Sequence, residues 1–188
     1  MTKLIVVLAA IACSSGCALE ELETPPGLPS EAATGCTLDQ RLGSLDARDG
    51  SLPASLEVRD SGAVQVTLRL ASDPSNRLRL ELYPHQGTVG DLVPTSYAIA
   101  GPERDYQTCG VCVYVETDLH PVAAVRFPVP TDYYFARSGS VVIHEMGVRF
   151  VAELQDIELS TVEGECTATL DRLTIDLAPA VTASPSIP

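Results

Sequence analysis

The chain has 188 residues, 45% of them hydrophobic, and 25 Asp and Glu against 12 Lys and Arg give it a formal net charge of −13. That length suits one domain with a real core. An acidic surface of this size repels nucleic-acid phosphates and anionic lipid headgroups, which excludes both as expected direct partners.

The N-terminus opens with Lys3 and then Leu4–Ala12 (LIVVLAAIA), an uncharged run too short to span a bilayer but suited to the h-region of an export signal. Small residues follow at Ser14, Ser15 and Gly16, as the subsites of a signal peptidase require, and Cys17 comes directly after them. This arrangement resembles the lipobox of bacterial lipoproteins, although Ser14 stands where that motif usually has Leu. The resemblance implies that Cys17 becomes the mature N-terminus, with a diacylglycerol thioether and usually an amide-linked acyl chain such as palmitate. Cys13 competes, but it would leave a very short signal and strand Cys17 as an unpaired fifth cysteine. If Cys17 is modified, an even set of four cysteines remains in the exported protein. An ordinary secretory signal cut near Ala18 is the other alternative, and would release a secreted or periplasmic protein. One acyl chain holds a protein only reversibly, whereas two or three make attachment durable. Ala18, which is not the Asp that retains lipoproteins in the inner membrane, implies the outer membrane of a Gram-negative cell.

Four segments follow from composition: a signal at 1–16, an acidic Pro/Gly tether at 17–35, a folded domain at 36–178 and a disordered Pro/Ser tail at 179–188. The stretch Ala18–Gly35 (ALEELETPPGLPSEAATG) has too little apolar surface to offset the entropy of ordering it. As a flexible chain it would reach about 20–25 Å.

Within the domain the hydrophobic period is two. Leu38–Leu45 (LDQRLGSL) offers at most a turn or two of helix. Val64, Val66, Leu68 and Leu70 alternate with polar residues, as do Leu78, Leu80 and Leu82, then Val111, Val113 and Val115. Val141 and Ile143, Phe150, Ala152 and Leu154, and Leu173, Ile175 and Leu177 continue the pattern, which predicts half-buried strands. Turn signals separate them, among them Asp73-Pro74-Ser75-Asn76, Gly101-Pro102 and Ser138-Gly139, the last read as a hairpin turn. Ala168 and Leu170 share a parity that Leu173 does not, so a bulge is expected near Asp171-Arg172. Short strands at this spacing predict an all-β domain: an antiparallel β-sandwich or a partly open barrel.

Cys36, Cys109, Cys112 and Cys166 in an exported protein point to two structural disulfides. The C-x-x-C run Cys109-Gly110-Val111-Cys112 leads into a strand rather than starting a helix, which argues against thioredoxin-like chemistry. One such pair also falls short of a four-thiolate zinc site. Residues three apart in extended chain face opposite ways, so two long bridges, from Cys36 and Cys166 to the central cysteines, are favoured. A tight turn at Gly110 would reverse that preference.

His85, His120 and His144 lack ligand spacing, and His144 should face solvent. No metal or cofactor is expected. Asp46-Ala-Arg-Asp49-Gly50 lacks the alternating acids of a calcium loop and reads as a polar turn. Ser138-Gly139-Ser140 lacks the Gly-x-Ser-x-Gly elbow of hydrolases. No catalytic residue is nominated. The adjacent Tyr133-Tyr134 could stack a sugar, but alternation places one of the two rings in the core. Tyr97 and Tyr106 read as loop anchors.

The segment from Tyr106 to Leu177 contains Tyr106-Gln-Thr-Cys-Gly-Val-Cys-Val-Tyr-Val, then Tyr134-Phe-Ala-Arg-Ser-Gly-Ser-Val, and late Glu165-Cys-Thr-Ala-Thr-Leu-Asp. It resembles uncharacterised surface lipoproteins of Gram-negative bacteria with a C-x-x-C-containing β-rich domain. The likeness covers roughly half the folded region. It implies an extracytoplasmic β domain and brings no catalytic residues.

The expectation is an outer-membrane-anchored, non-enzymatic lipoprotein with a structural or binding role at the cell envelope. Its membrane contact is the lipid, and its protein or glycan partner is open. The alternatives are a small-ligand or carbohydrate-binding module and a carboxylate-dependent hydrolase. An exposed aromatic concavity would favour binding, and two carboxylates converging in a cleft would favour hydrolysis.

Overall fold

The computed structural model describes residues 35–48, 50, 52–70, 72–73, 75–121 and 128–178. The expectations for Cys17, for the signal, for the tether as far as Thr34 and for the tail at 179–188 lie outside these residues.

Among the described residues, nine strands form one sheet. In chain order they are β1 (Arg41–Arg48), β2 (Ala54–Val58), β3 (Val64–Arg69), β4 (Arg77–Leu82) and β5 (Ser96–Ala98). A short 3-10 helix at Gly101–Arg104 precedes β6 (Val111–Thr117), β7 (Asp132–Glu145), β8 (Phe150–Ser160) and β9 (Thr167–Leu177). The spatial order is β1-β9-β8-β7-β6-β4-β3-β2, with β5 added beside β7. β2, at one end of this order, also approaches β9 near the other end, so the sheet curls into an open half-barrel. The domain is therefore all-β and disulfide-stapled, in the partly open barrel form.

Period-two alternation builds the inner face. Val66 pairs with Leu80, which pairs with Val113. Leu78, Val115 and Tyr134 form the next row. Val141, Leu154 and Leu173 form another. All are buried and belong to one continuous core. Apolar side chains at alternate positions thus line the concavity, and fully burying each is worth about 1.5–3 kcal/mol.

The inward parity flips in β7 between Ala136 and Val141, in β8 between Leu154 and Ile157, and in β9 between Leu170 and Leu173. Register shifts mark the flips in β7 and on the β1–β9 ladder. The slip expected at Asp171-Arg172 is therefore one part of a belt crossing adjacent strands. Such irregularities bend long strands and let a wide sheet coil. Ser138-Gly139-Ser140 lies inside β7, so the hairpin-turn reading is corrected. Gly139 has φ +115°, and a Cβ there would approach the Asp156 carbonyl oxygen at 2.7 Å. Glycine is needed there for a bulge pressed against the neighbouring strand. The chain instead reverses between β7 and β8 at Met146–Arg149.

Arg41–Arg48 is a strand, not the helical turn expected from Leu38–Leu45. The unpaired edge of β9 supplies backbone partners, and Gly43 in mid-segment weakens a helix by about 1 kcal/mol. β1 runs parallel to β9, the one parallel strand pairing among the described residues. Cys36, ahead of β1, is bonded to Cys166, just ahead of β9, with Cα atoms 5.5 Å apart, so both strands leave the bond in the same direction. Of the expected polar turn, Asp46 to Arg48 instead end β1, where the Asp46 carboxylate accepts hydrogen bonds from Arg48, while Gly50 does sit at a turn, with φ +76°.

The second disulfide joins Cys109 to Cys112, with Cα atoms 5.4 Å apart. This corrects the preference for two long bridges. Cys109 is not extended: its N–H donates to the Asp105 carbonyl at the end of a turn that follows the 3-10 helix. At Gly110 a Cβ would collide with the Gln86 carbonyl, so the absence of a side chain lets the chain fold tightly enough to bring the sulfurs together. Glu103 secures this corner. Although buried, its carboxylate accepts from Thr88 N–H (2.6 Å), Thr88 Oγ1 (2.8 Å), Gly110 N–H (2.7 Å) and Val111 N–H (2.8 Å).

Candidate functional site: an aromatic groove on the outer face

The outer face of β4, β6 and β7 carries rows of residues fixed by register. Arg77 pairs with Glu116, which pairs with Tyr133. Arg79 pairs with Tyr114, which pairs with Phe135. Each is at the outward parity of its strand, one step from an inward Leu, Val or Tyr. Tyr106, from the loop after the 3-10 helix, closes over this grid. Its ring meets Tyr114 edge-on, with centroids 5.3 Å apart, and lies 5.7 Å from Phe135. Tyr133 and Phe135 are nearly parallel, at 10° and 6.0 Å. These separations fall in the range of favourable ring contacts, each worth about 0.5–1.5 kcal/mol beyond the area it buries.

Tyr114 is the buried floor, whereas Tyr106 is 49% and Tyr133 41% exposed. Together with Phe135 and Glu116 they line a hollow of about 300 Å³. A second hollow of about 420 Å³ shares Tyr106 and Phe135 and extends past Arg104, Gln107, Arg137 and Val162. Among the described residues, three of the six exposed large hydrophobic side chains, Tyr106, Tyr133 and Val162, border this pair of hollows. Clustered exposure of this kind is the feature that marks interaction sites, whereas isolated exposed apolar residues are ordinary.

The charges beneath the rings are internally matched. Glu116 Oε2 lies 2.8 Å from Arg77 Nη2 and 3.0 Å from Arg79 Nε. Burial opposes the charge on Arg79, but Glu116, Tyr114 and Glu81 outweigh it and raise the pKa of the guanidinium above its ordinary value. Glu81, also buried, accepts from the hydroxyls of Tyr114 (2.9 Å) and Tyr83 (2.8 Å). Burial, reinforced by the Glu81 carboxylate, pushes the Tyr114 phenol far above its ordinary pKa, and Tyr83 shifts the same way for the same reasons. Tyr133 is raised chiefly by burial, then by Glu116. These phenols stay protonated as hydrogen-bond donors through neutral and mildly alkaline conditions.

The groove's far wall is braced by Arg137. Its guanidinium donates to Ser160 Oγ (2.8 Å) and to the carbonyls of Arg104 and Thr161 (both 3.2 Å), tying β7 to the loops on either side. The Cys109–Cys112 disulfide sits behind Tyr106 and holds the end of its loop.

Tyr133 and Tyr134 divide as alternation requires. Tyr134 is fully buried, and its hydroxyl accepts from the Thr37 N–H at 3.1 Å, while Tyr133 joins the groove. Tyr97 does anchor a loop, donating to the Val93 carbonyl at 3.0 Å. Tyr106 anchors its loop as well, its hydroxyl donating to Glu81 at 3.5 Å, and its ring is also part of the aromatic cluster. Tyr114 and Phe135 were missed by the sequence reading, although Tyr133 and Phe135 at one parity of β7 were a usable signal. His85 faces Asp91 at 3.5 Å on the surface, His120 lies on an isolated bridge to Val129, and His144 is exposed, as expected.

A hollow of about 370 Å³ also lies at the belt of bulges, beside Arg41, Asp156 and Asp171. It has no aromatic lining, and Arg41 is paired with Asp171 at 3.0 Å. Among the described residues the three buried carboxylates, Glu81, Glu103 and Glu116, hold their lone pairs in the bonds described above.

The fold and the groove together define a class: a curled, open all-β sheet with an aromatic groove on its outer surface. No family model, no curated protein and no solved structure matches the chain.

Proposed function

We propose that this protein is a non-enzymatic, lipid-anchored domain of the bacterial outer membrane that works by binding a ligand through its aromatic groove. The observation that carries the binding role is the half-exposed cluster of Tyr106, Tyr133 and Phe135 over buried Tyr114, bordered by matched charges. Ligand sites are typically concave and largely apolar, with a few placed polar groups, and span about 300–1,000 Å³. Commitment of the buried carboxylates to fixed partners supports binding over hydrolysis, because a general acid or base must be able to exchange its proton with substrate. Support for the anchor comes from the N-terminal pattern of Lys3, Leu4–Ala12 and Cys17, and from an even set of four cysteines in the rest of the chain. Both disulfides suit an oxidising compartment.

Ligand-observed NMR on the disulfide-intact protein, with a library of small uncharged fragments, tests the binding role. Fragments should show saturation transfer that the Tyr106→Ala and Phe135→Ala variants abolish. Hits insensitive to both substitutions would place binding elsewhere, and a library without hits would count against the groove as a ligand site.

A further inference from the structure

Resting on the binding role assigned above, the geometry points to a narrower ligand class: we propose that the groove binds an uncharged oligosaccharide of at least two residues, laid across Tyr106 and Phe135. Ring spacing supplies the first argument. The rings stand 5.3–6.4 Å apart, close enough to touch one another, so nothing can enter between them and a ligand must lie over them. A quaternary ammonium ion requires rings disposed around the cation. Tyr106 is tilted 46° to Phe135, so the rings form an angled floor, on which successive pyranose rings can each lay a C–H face.

Charge supplies the second argument. Glu116 is held by Arg77 and Arg79, and Glu81 by Tyr83 and Tyr114, which leaves the first hollow without an unmatched charge. The chain as a whole, at −13, repels anions. An uncharged ligand suits the first hollow on both counts.

Length supplies the third. The two hollows, of about 300 and 420 Å³, share Tyr106 and Phe135 in their linings, so a ligand that reaches both must cross those rings. The first is walled by rings. The second is also lined by Arg104, Asp105 and Gln107, exposed side chains that carry hydrogen-bond donors and acceptors. The ligand therefore has an apolar face at one end and hydroxyl groups at the other, and it is longer than one sugar ring.

Titration calorimetry on the full, disulfide-intact protein tests this with xylo-, cello-, malto- and chito-oligosaccharides of one to six residues. At least one series should gain roughly tenfold in affinity between the monosaccharide and the di- or trisaccharide and then level off. Tyr106→Ala and Tyr133→Ala, both at exposed positions, should each lose roughly tenfold with an unchanged circular-dichroism spectrum. Gln107→Ala should weaken the longer members only. Absence of binding in all four neutral series, affinity without length dependence, or binding of uronate oligomers alone would each overturn the assignment. If uncharged fragments still bind in a Tyr106-dependent manner while the sugars fail, the glycan is wrong and the groove stands as a binding site. If neither binds, both readings fall.

Discussion

Tyr114 shows how one side chain links stability to the site. Its ring supports Tyr106 and Phe135, and its hydroxyl supplies one of the bonds that satisfy buried Glu81. Replacing it with Phe keeps the ring and removes the donor, which should cost about 1–3 kcal/mol in urea denaturation because the carboxylate is left short of a partner. A pH dependence follows as well. The folded-state pKa of Tyr114 lies above its unfolded value of 10.0, so between those limits the folded chain keeps a proton that the unfolded chain has released. The contribution is fully present below about pH 10 and declines as pH rises beyond it. Stability measured from pH 8 to 11 should be flat and then fall, and Tyr114→Phe should make the fall shallower. At Glu103, the Gln substitution would turn an amide N–H₂ towards backbone donors that now meet carboxylate oxygens. A loss of about 2–3 kcal/mol is expected, measured by the same denaturation.

At the level of elements, alternation carried most of the information. Leu78, Leu80 and Leu82 declare both a strand and its inner face, and register does the rest once neighbours are known. The misread segments share one cause: the outcome was decided by a distant partner. Ser138-Gly139 looks like a turn until Asp156 is seen pressing against Gly139 from β8. Leu38–Leu45 is indifferent locally, and from Arg41 on it becomes strand β1 because β9 offers it an edge to pair with. The Cys109–Cys112 bond depended on Gly110 packing on Gln86, a contact made across the loop ahead of β5. The two disulfides should differ in weight. Cys36–Cys166 closes a separation of 130 residues and Cys109–Cys112 one of 3. In the chain-entropy account the first is worth about 5 kcal/mol and the second about 1.5 kcal/mol. Thermal melts of the Cys36→Ser/Cys166→Ser and Cys109→Ser/Cys112→Ser double variants should therefore show a large drop for the former and a small one for the latter. The latter should still weaken ligand binding, because the loop carrying Tyr106 loses its tie.

Across the whole molecule, the sequence disclosed the kind of domain but not the aromatic groove on its outer face. Tyr106, Tyr114 and Phe135 come from a loop and two strands, and no local pattern announces that they meet. The β6–β7 register sets Tyr114 beside Phe135, and the packing of the loop after the 3-10 helix brings Tyr106 against both. The proposed anchor belongs to this scale too. Intact-mass and peptide mass spectrometry of protein taken from the cell envelope should find an N-terminal Cys17 carrying a diacylglycerol thioether. An unmodified N-terminus near Ala18 would contradict the anchor and leave an exported soluble protein. Most direct for the central claim is an aromatic ¹H–¹³C NMR titration of disulfide-intact protein labelled at Tyr and Phe, using the neutral oligosaccharides as ligand. The account predicts shifts confined to Tyr106, Tyr114, Tyr133 and Phe135, with Tyr97 and core Tyr134 still. Shifts at Tyr97 or Tyr134 with the four groove rings unmoved would contradict it.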